Sequence, residues 1–218
     1  MSLIITIDGP AASGKSSVSR EVASHLGWSW VSTGAFYRGL AYFAKAKGIA
    51  LGSEADLVEA CKSDSWKVHL SAEKTLVFCD GKDVTEGIYS DAVGTVASQI
   101  SQFPLVRKEL LQAQRNCAYG VNLIAEGRDC GTIVFPDADL KFYITARGES
   151  RAQRRAMEEG KTEAEVLESQ TVRDQQDTER KSAPLQIPEN AHVVDTSDMD
   201  LQQVVREVES TVKDKLKI

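Results

Sequence analysis

Gly9-Pro10-Ala11-Ala12-Ser13-Gly14-Lys15-Ser16 matches G-x-x-x-x-G-K-[ST] and sits where the chain switches from one periodicity to another. Before it, residues 3–8 read as a short β-branched strand, buried and stopped by Gly9-Pro10. After it, residues 15–26 read as a helix, with Val18, Val22 and Leu26 at a spacing of four. Strand, glycine-rich turn and helix together make a phosphate-binding loop. Gly9 and Gly14 let the backbone come close to oxygen atoms, and successive N–H groups then form a concave nest at the positive end of a helix. Lys15 is expected to neutralise β- and γ-phosphate charge, and the Ser16 hydroxyl to coordinate Mg²⁺. A purine nucleoside triphosphate with magnesium is the implied ligand.

Working outward, helical texture is expected at residues 35–47, 56–62, 91–101 and 104–118, and short strands at 123–125, 140–144 and 193–194. Strands alternating with helices imply an α/β fold, a parallel sheet covered on both faces. Residues 66–70 and 75–79 read as two strands joined by Ser71-Ala72-Glu73-Lys74, with Asp80-Gly81 closing the second run as a turn. They look like a small antiparallel insert. Residues 147–181 hold 8 basic and 9 acidic residues among 35 and are expected to form an exposed helical hairpin. Residues 201–216 read as a terminal amphipathic helix.

The 218 residues carry a formal charge of −6 and a pI near 5.2, which argues against binding a nucleic acid polymer. A local arginine cluster can still oppose that sign around a small anion. No apolar run approaches the ~20 residues of a membrane span, and no secretory signal is evident. Cys61, Cys79, Cys117 and Cys130 show no C-x-x-C spacing, so a cytoplasmic protein with reduced thiols is expected, without zinc or disulfides. One core with insertions fits the length.

What receives the phosphoryl group is a separate matter. N-K-x-D is missing, and the D-x-x-G at residues 91–94 opens a helix, so a GTPase is disfavoured. The length suits a small-molecule kinase, which must hold two anions together and exclude water. Arg128 and Asp129 lie just past a strand end, where open α/β sheets bind ligands. Arg38, Arg107, Arg173 and Arg180 are further anion-binding candidates, but each taken singly reads equally as a solvated helix face. Arg151, Arg154 and Arg155 share a helical face, and Arg151 reads as solvated. Glu126 reads equally as an orienter of a magnesium-bound water or as a strand cap. Cys130 and the three histidines read as packing or surface residues.

Six stretches of the chain are similar to bacterial cytidylate kinases. They are I-D-G-P-A-A-S-G-K-S-S (7–17), S-T-G-A-F-Y-R (32–38), A-S-Q-I-S-Q-F-P-x-V-R (97–107), E-G-R-D-C-G-T-I-V-F-P-D-A (126–138), R-A-Q-R-R (151–155) and R-D-x-x-D-x-x-R-x-x-A-P-L (173–185). The resemblance implies ATP-dependent phosphorylation of CMP and dCMP to CDP and dCDP. It implies a single kinase domain with a core (about 1–34, 119–147 and 182–218), a monophosphate-binding insert (about 35–118) and a mobile lid (about 148–181). By motif it places Gly9, Pro10, Ala11, Ala12, Ser13, Gly14, Lys15, Ser16 and Ser17 on ATP, with Arg154 near the adenine. It places Thr33, Arg38, Ser98, Arg107, Arg128, Asp129, Arg173, Asp177 and Arg180 on the monophosphate. Lys15, Arg128, Arg173 and Arg180 are the implied catalytic cations. Ser32 stands where the family commonly has Asp, Cys130 replaces a usually apolar residue, and Gln175-Gln176 replace residues often charged.

Two roles for Asp129 follow: accepting from the cytosine amino group, with Arg107 and Ser98 on the N3 and O2 side, or holding Arg128 by a salt bridge. The lid arginines are expected to lack counter-charges until phosphates arrive. Rival acceptors on the same fold are UMP, AMP and shikimate, and a rival of another class is a non-catalytic nucleotide sensor. Without a long exposed apolar stripe, a monomer is expected.

Overall fold

A computed structural model describes residues 2–71 and 74–218. The chain runs β1 (Ile4–Asp8), α1 (Lys15–Leu26), β2 (Ser29–Ser32), α2 (Gly34–Lys47), α3 (Glu54–Cys61), β3 (Trp66–Leu70), β4 (Thr75–Cys79), β5 (Lys82–Asp83), α4 (Asp91–Ile100), α5 (Pro104–Asn116), β6 (Leu123–Gly127), β7 (Leu140–Thr145), α6 (Gly148–Glu159), α7 (Glu163–Glu179), β8 (His192–Asp195) and α8 (Leu201–Leu216). A 3₁₀ turn (Gly87–Tyr89) precedes α4, and a single wide π turn (Cys130–Val134) follows β6.

Five strands form one sheet in the order β2-β6-β1-β7-β8, every neighbouring pair parallel. β1 is central, so Ile5, Thr6, Ile7 and Asp8 are all fully buried. One face packs on α1 and α8 through Val18, Val22, Val205 and Val208. The other packs on the insert helices through Leu40, Leu57, Ile100 and Leu110. Two-sided burial gives β6 its unbroken buried run, as a parallel sheet requires. The carboxyl ends of β1, β2 and β6 therefore open on one edge, and the phosphate loop and the 127–129 turn meet there.

β3, β4 and β5 form the small antiparallel sheet. The expected Asp80-Gly81 turn is present, with φ of 49° and 76° at its two residues. The connection before it closes with the Ser71 N–H donating to the Lys74 carbonyl; Ala72 and Glu73 of the expected linker lie outside the described residues.

Two elements escaped the sequence reading, β2 and the two-residue β5. β2 is four residues with serine at both ends, so it has no apolar run. It is a strand because β6 pairs along its whole length, from Ser29 opposite Leu123 to Ser32 opposite Glu126. The charged hairpin α6–α7 is present, but it is not merely solvated. Ala152, Ala156 and Val166 make a small core of its own, and Thr162 and Glu165 form a capping box at the start of α7.

Candidate active site

The phosphate loop is built on close approach. A Cβ at Gly9 would lie 2.0 Å from the Ile144 carbonyl oxygen of β7, so only glycine lets the loop leave the sheet there. Gly14 has a φ of 84°, the left-handed turn that starts α1. Lys15 is buried, and its Nζ donates to the Pro10 carbonyl at 3.0 Å. Burial first, and the neighbouring Arg128 second, lower its ammonium pKa to about 7. Ser13 Oγ is buried without a hydrogen-bond partner, and Ser16 stands exposed in the first turn of α1.

Arg128 links this loop to the rest of the site. Its Nη1 donates to the Gly9 carbonyl at 3.0 Å, and its Nε to Asp177 Oδ2 at 2.8 Å. Gly127 must be glycine, because a Cβ there would come within 2.3 Å of Thr33 Oγ1. Thr33 Oγ1 donates to the Glu126 carbonyl at 2.9 Å, which ties the start of α2 to β6.

On the acceptor side, Arg38 Nη1 donates to the Ile88 carbonyl at 2.9 Å, and its guanidinium lies 5.4 Å from the Tyr89 ring centroid. A Cβ at Gly94 would sit 3.0 Å from that guanidinium, so the glycine makes room for it. Arg107 lies over the Tyr37 ring, donates to the Ser101 carbonyl at 3.3 Å and forms an ion pair with Asp129. Arg180 comes from the end of α7. Its Nε donates to the Ala183 carbonyl, its Nη1 lies 3.5 Å from Asp177 Oδ1, and its Nη2 lies 3.7 Å from Asp129 Oδ1. That Nη2 is buried and makes no hydrogen bond, its ion pair with Asp129 being too long for one.

These groups face one cleft of about 350 Å³. All the predicted site residues line it, Ser98 and Arg173 included, apart from Gly9 and Pro10, which contribute the carbonyls that hold Arg128 and Lys15. Arg154 is at the rim, donating to Thr196 Oγ1 at 3.0 Å and to the Met199 carbonyl at 3.2 Å. Eight cationic side chains and three carboxylates line the cleft of a chain that is −6 overall. Local charge here opposes the global sign, as binding two polyanions demands.

Three expectations are corrected. Asp129 does not bridge to Arg128; its carboxylate meets Arg107 and Arg180, while Arg128 takes Asp177. The hairpin arginines are not without counter-charges, because Arg173 lies 3.5 Å from Asp91 and Arg180 has two carboxylates. Arg151 is not a solvated residue: its side chain is 13% exposed and bonds Asp174 and the phosphate-loop carbonyl of Ala11.

The sequence reading also passed over Asp8, Tyr37 and Tyr89. Asp8 is fully buried and accepts the N–H groups of Cys130 at 2.8 Å and Gly131 at 2.7 Å. Burial pushes its carboxyl up to about 6, against the pull of those two hydrogen bonds. The signal was available: an acid at the buried end of a central strand needs partners. Ser32 is buried beside the Tyr89 phenol, so a neutral pair of hydroxyls occupies the place where an acid was expected from the resemblance.

Comparison with known proteins agrees with this geometry. The family model "Cytidylate kinase" matches residues 5–214. A cytidylate kinase of Bdellovibrio bacteriovorus is 52% identical over 217 residues, covering 99% of this chain and 100% of that protein. A cytidylate kinase of Caldanaerobacter subterraneus is 41% identical, covering 96% and 94%. Among solved structures, a shikimate kinase from Bacteroides thetaiotaomicron aligns over 99% of both chains with a TM-score of 0.50 at 10% identity, a likeness of fold alone. With a phosphate loop, an arginine-lined acceptor side and a family match across nearly its whole length, the chain belongs to the cytidylate kinase family of nucleoside monophosphate kinases.

Proposed function

We propose that the protein transfers the terminal phosphoryl group of ATP to CMP and dCMP, yielding CDP and dCDP. The observation that carries this reading is the position of Arg128, bonded at once to the phosphate-loop carbonyl of Gly9 and to Asp177 of the hairpin helix α7, a residue read as a monophosphate contact. One guanidinium thereby stands between a triphosphate site and a monophosphate site.

Catalysis on this reading is positioning and charge neutralisation. Residues 9–17 cradle ATP, and Lys15 gives its charge to the β- and γ-phosphates. Arg38, Arg128, Arg173 and Arg180 hold the acceptor phosphate and stabilise charge on the transferred group, while Thr33, Ser98, Arg107, Asp129 and Asp177 orient the nucleoside. Arg154, at the rim, flanks the adenine. Residues 148–181 act as a lid that excludes water, residues 35–118 as the monophosphate-binding insert, and the remainder as the core.

Magnesium fits the donor set. Ser16 presents an exposed hydroxyl at the loop, and Glu126 brings a buried carboxylate to the same cleft. A cation held mainly by phosphate oxygens and waters asks for no more than one or two such groups. Bound with ATP, it neutralises charge on the β- and γ-phosphates.

No described helix is long and apolar enough to cross a membrane. We infer a cytoplasmic monomer that handles nucleotides rather than nucleic acid. ADP release coupled to a reporter, measured with ATP alone and with CMP, dCMP, UMP, AMP or shikimate added, tests the whole reading. Turnover that requires CMP or dCMP is the expected result. ADP release indifferent to CMP, or greatest with another acceptor, overturns it.

A further inference from the structure

Two lid side chains grip a single residue of the phosphate loop. Asp174 Oδ1, from α7, accepts the Ala11 N–H at 2.9 Å. Arg151 Nη1, from α6, donates to the Ala11 carbonyl at 2.8 Å. The same nitrogen reaches Asp174 Oδ2 at 2.5 Å, so the two grips are one unit. The unit is braced from behind, where Arg151 Nε donates to the Ala146 carbonyl at 3.1 Å and Gln170 Nε2 donates to the Arg151 carbonyl at 3.3 Å. Ala11 is buried, and the two side chains are 13% and 19% exposed, so the contact is largely withdrawn from water.

Neither Arg151 nor Asp174 lines the cleft. Their neighbours do. Arg173 precedes Asp174 and faces the cleft, and Asp177, one turn further along α7, holds Arg128 at 2.8 Å. Fixing Asp174 on the loop therefore sets the register of α7 over the site. Charge-assisted bonds to a backbone N–H and carbonyl need no particular side chain at residue 11, but they do need the loop in its cradle shape.

We propose that Arg151 and Asp174 are positioning residues, a clasp that closes the lid on the phosphate loop through the Ala11 peptide groups and so places Arg173, Asp177 and Arg128 over the reacting phosphates. The proposal rests on the phosphoryl-transfer reading. The clasp grips protein rather than nucleotide, so it is made whether or not phosphate is bound.

The test joins a contact readout to a kinetic one on the full chain. Amide exchange at Ala11, followed by NMR without nucleotide, is expected to speed up about tenfold or more in Asp174→Ala, as a buried charge-assisted bond is lost. Asp174→Asn keeps an acceptor oxygen and is expected to fall between that variant and the unaltered protein. In steady-state assays with ATP and CMP, Asp174→Ala and Arg151→Ala are expected to lower kcat by about 10- to 100-fold while both KM values stay within about threefold. The double variant is expected to be no slower than the slower single one, since the pair acts as one unit. Unchanged Ala11 exchange in Asp174→Ala, kcat values near that of the unaltered protein, or losses that multiply in the double variant would each overturn the clasp. If the unaltered protein fails to turn over CMP, the functional reading falls, and Ala11 exchange still decides the contact.

Discussion

Arg107 and Asp129 form a buried ion pair on the acceptor side of the cleft, their side chains 7% and 8% exposed. The pair joins α5 to the turn after β6, and Arg180 approaches the same carboxylate from the end of α7. Asp129 thus sits between two arginines and cannot serve as the support of Arg128, which has Asp177. A carboxylate has about four acceptor sites, so capacity for one further donor remains.

Cytosine offers that donor. Its exocyclic amino group can give a hydrogen bond to Asp129, whereas uracil presents a carbonyl oxygen that a carboxylate repels. Asp129→Ala is expected to lower the CMP-to-UMP ratio of kcat/KM by about tenfold or more. It should also lower stability by about 3 kcal/mol, because Arg107 is left as a buried unpaired charge. Kinetics with both nucleotides separate the effects. A variant slower on both with its ratio preserved would remove Asp129 from base selection.

Lys15→Ala is expected to reduce kcat by about a thousandfold or more, since a preorganised cation at the transferred phosphate contributes several kcal/mol in the transition state. The fold should survive. With a folded pKa of about 7 against 10.5 for a free lysine, Lys15 costs stability while protonated. Its unfavourable share is full below about pH 7 and fades as pH rises toward 10.5. Circular dichroism melts at pH 7 should therefore place the variant at or above the parent. An unaltered kcat would end the phosphoryl-transfer reading.

The same depressed pKa has a signature in binding. At pH 8 the empty site holds Lys15 mostly neutral, and phosphate oxygens beside it raise its pKa again. ATP binding at pH 8 is expected to take up close to one proton, read by calorimetry in buffers of different ionisation enthalpy. Lys15→Met should abolish that uptake. Proton release, or uptake that persists in the variant, contradicts the assignment.

What could be read from the chain followed the range of the interaction. β1, the glycines and α1 obey local rules, and α1 spans Lys15–Leu26 as expected. β2 was invisible because its burial comes from β6, whose partner residues lie far along the chain. The site residues were legible by type, as arginines beside glycine turns, but their pairing was not. Arg151 looks solvated beside Arg154 and Arg155, and only the docking of α7, which places Asp174 against Ala11 across 163 residues, gives it a role. Asp8 is legible as a buried strand-end acid in need of partners, but not which partners, since they are backbone N–H groups that no residue type announces.

Among the described residues the hairpin α6–α7 packs three apolar side chains in its own core, so its hold on the site rests mainly on the clasp to Ala11 and on the Asp177–Arg128 bond. Its salt bridges to Asp91 are partly exposed, with that carboxylate 44% accessible, and contribute modestly. Hydrogen exchange over residues 148–179 is expected to slow further on adding a bisubstrate analogue, as phosphates join the clasp in holding the hairpin. Identical exchange in the two states would rule out closure on nucleotide.

Asp8 supplies the last test, because it ties the strand before the phosphate loop to the turn after Arg128 and Asp129. Each of its oxygens accepts one buried N–H, from Cys130 and from Gly131. The turn cannot shift to find other partners, since a Cβ at Gly131 would already lie 2.8 Å from Thr6 Oγ1 and 2.9 Å from Pro188. Asp8→Ala leaves both N–H groups unpaired and should cost about 2–3 kcal/mol. The cost should depend on pH in a definite direction. The folded pKa of about 6 exceeds the unfolded 3.8, so the fold favours the neutral acid. That contribution is complete below about pH 4 and is lost as pH rises through 6, a span of about 3 kcal/mol. Urea unfolding of parent and variant at pH 4, 5 and 7 should therefore show a stability gap that narrows as pH rises. A gap that is constant, or that widens toward pH 7, would mean that Asp8 is held as a charged carboxylate and that its two hydrogen bonds outweigh its burial.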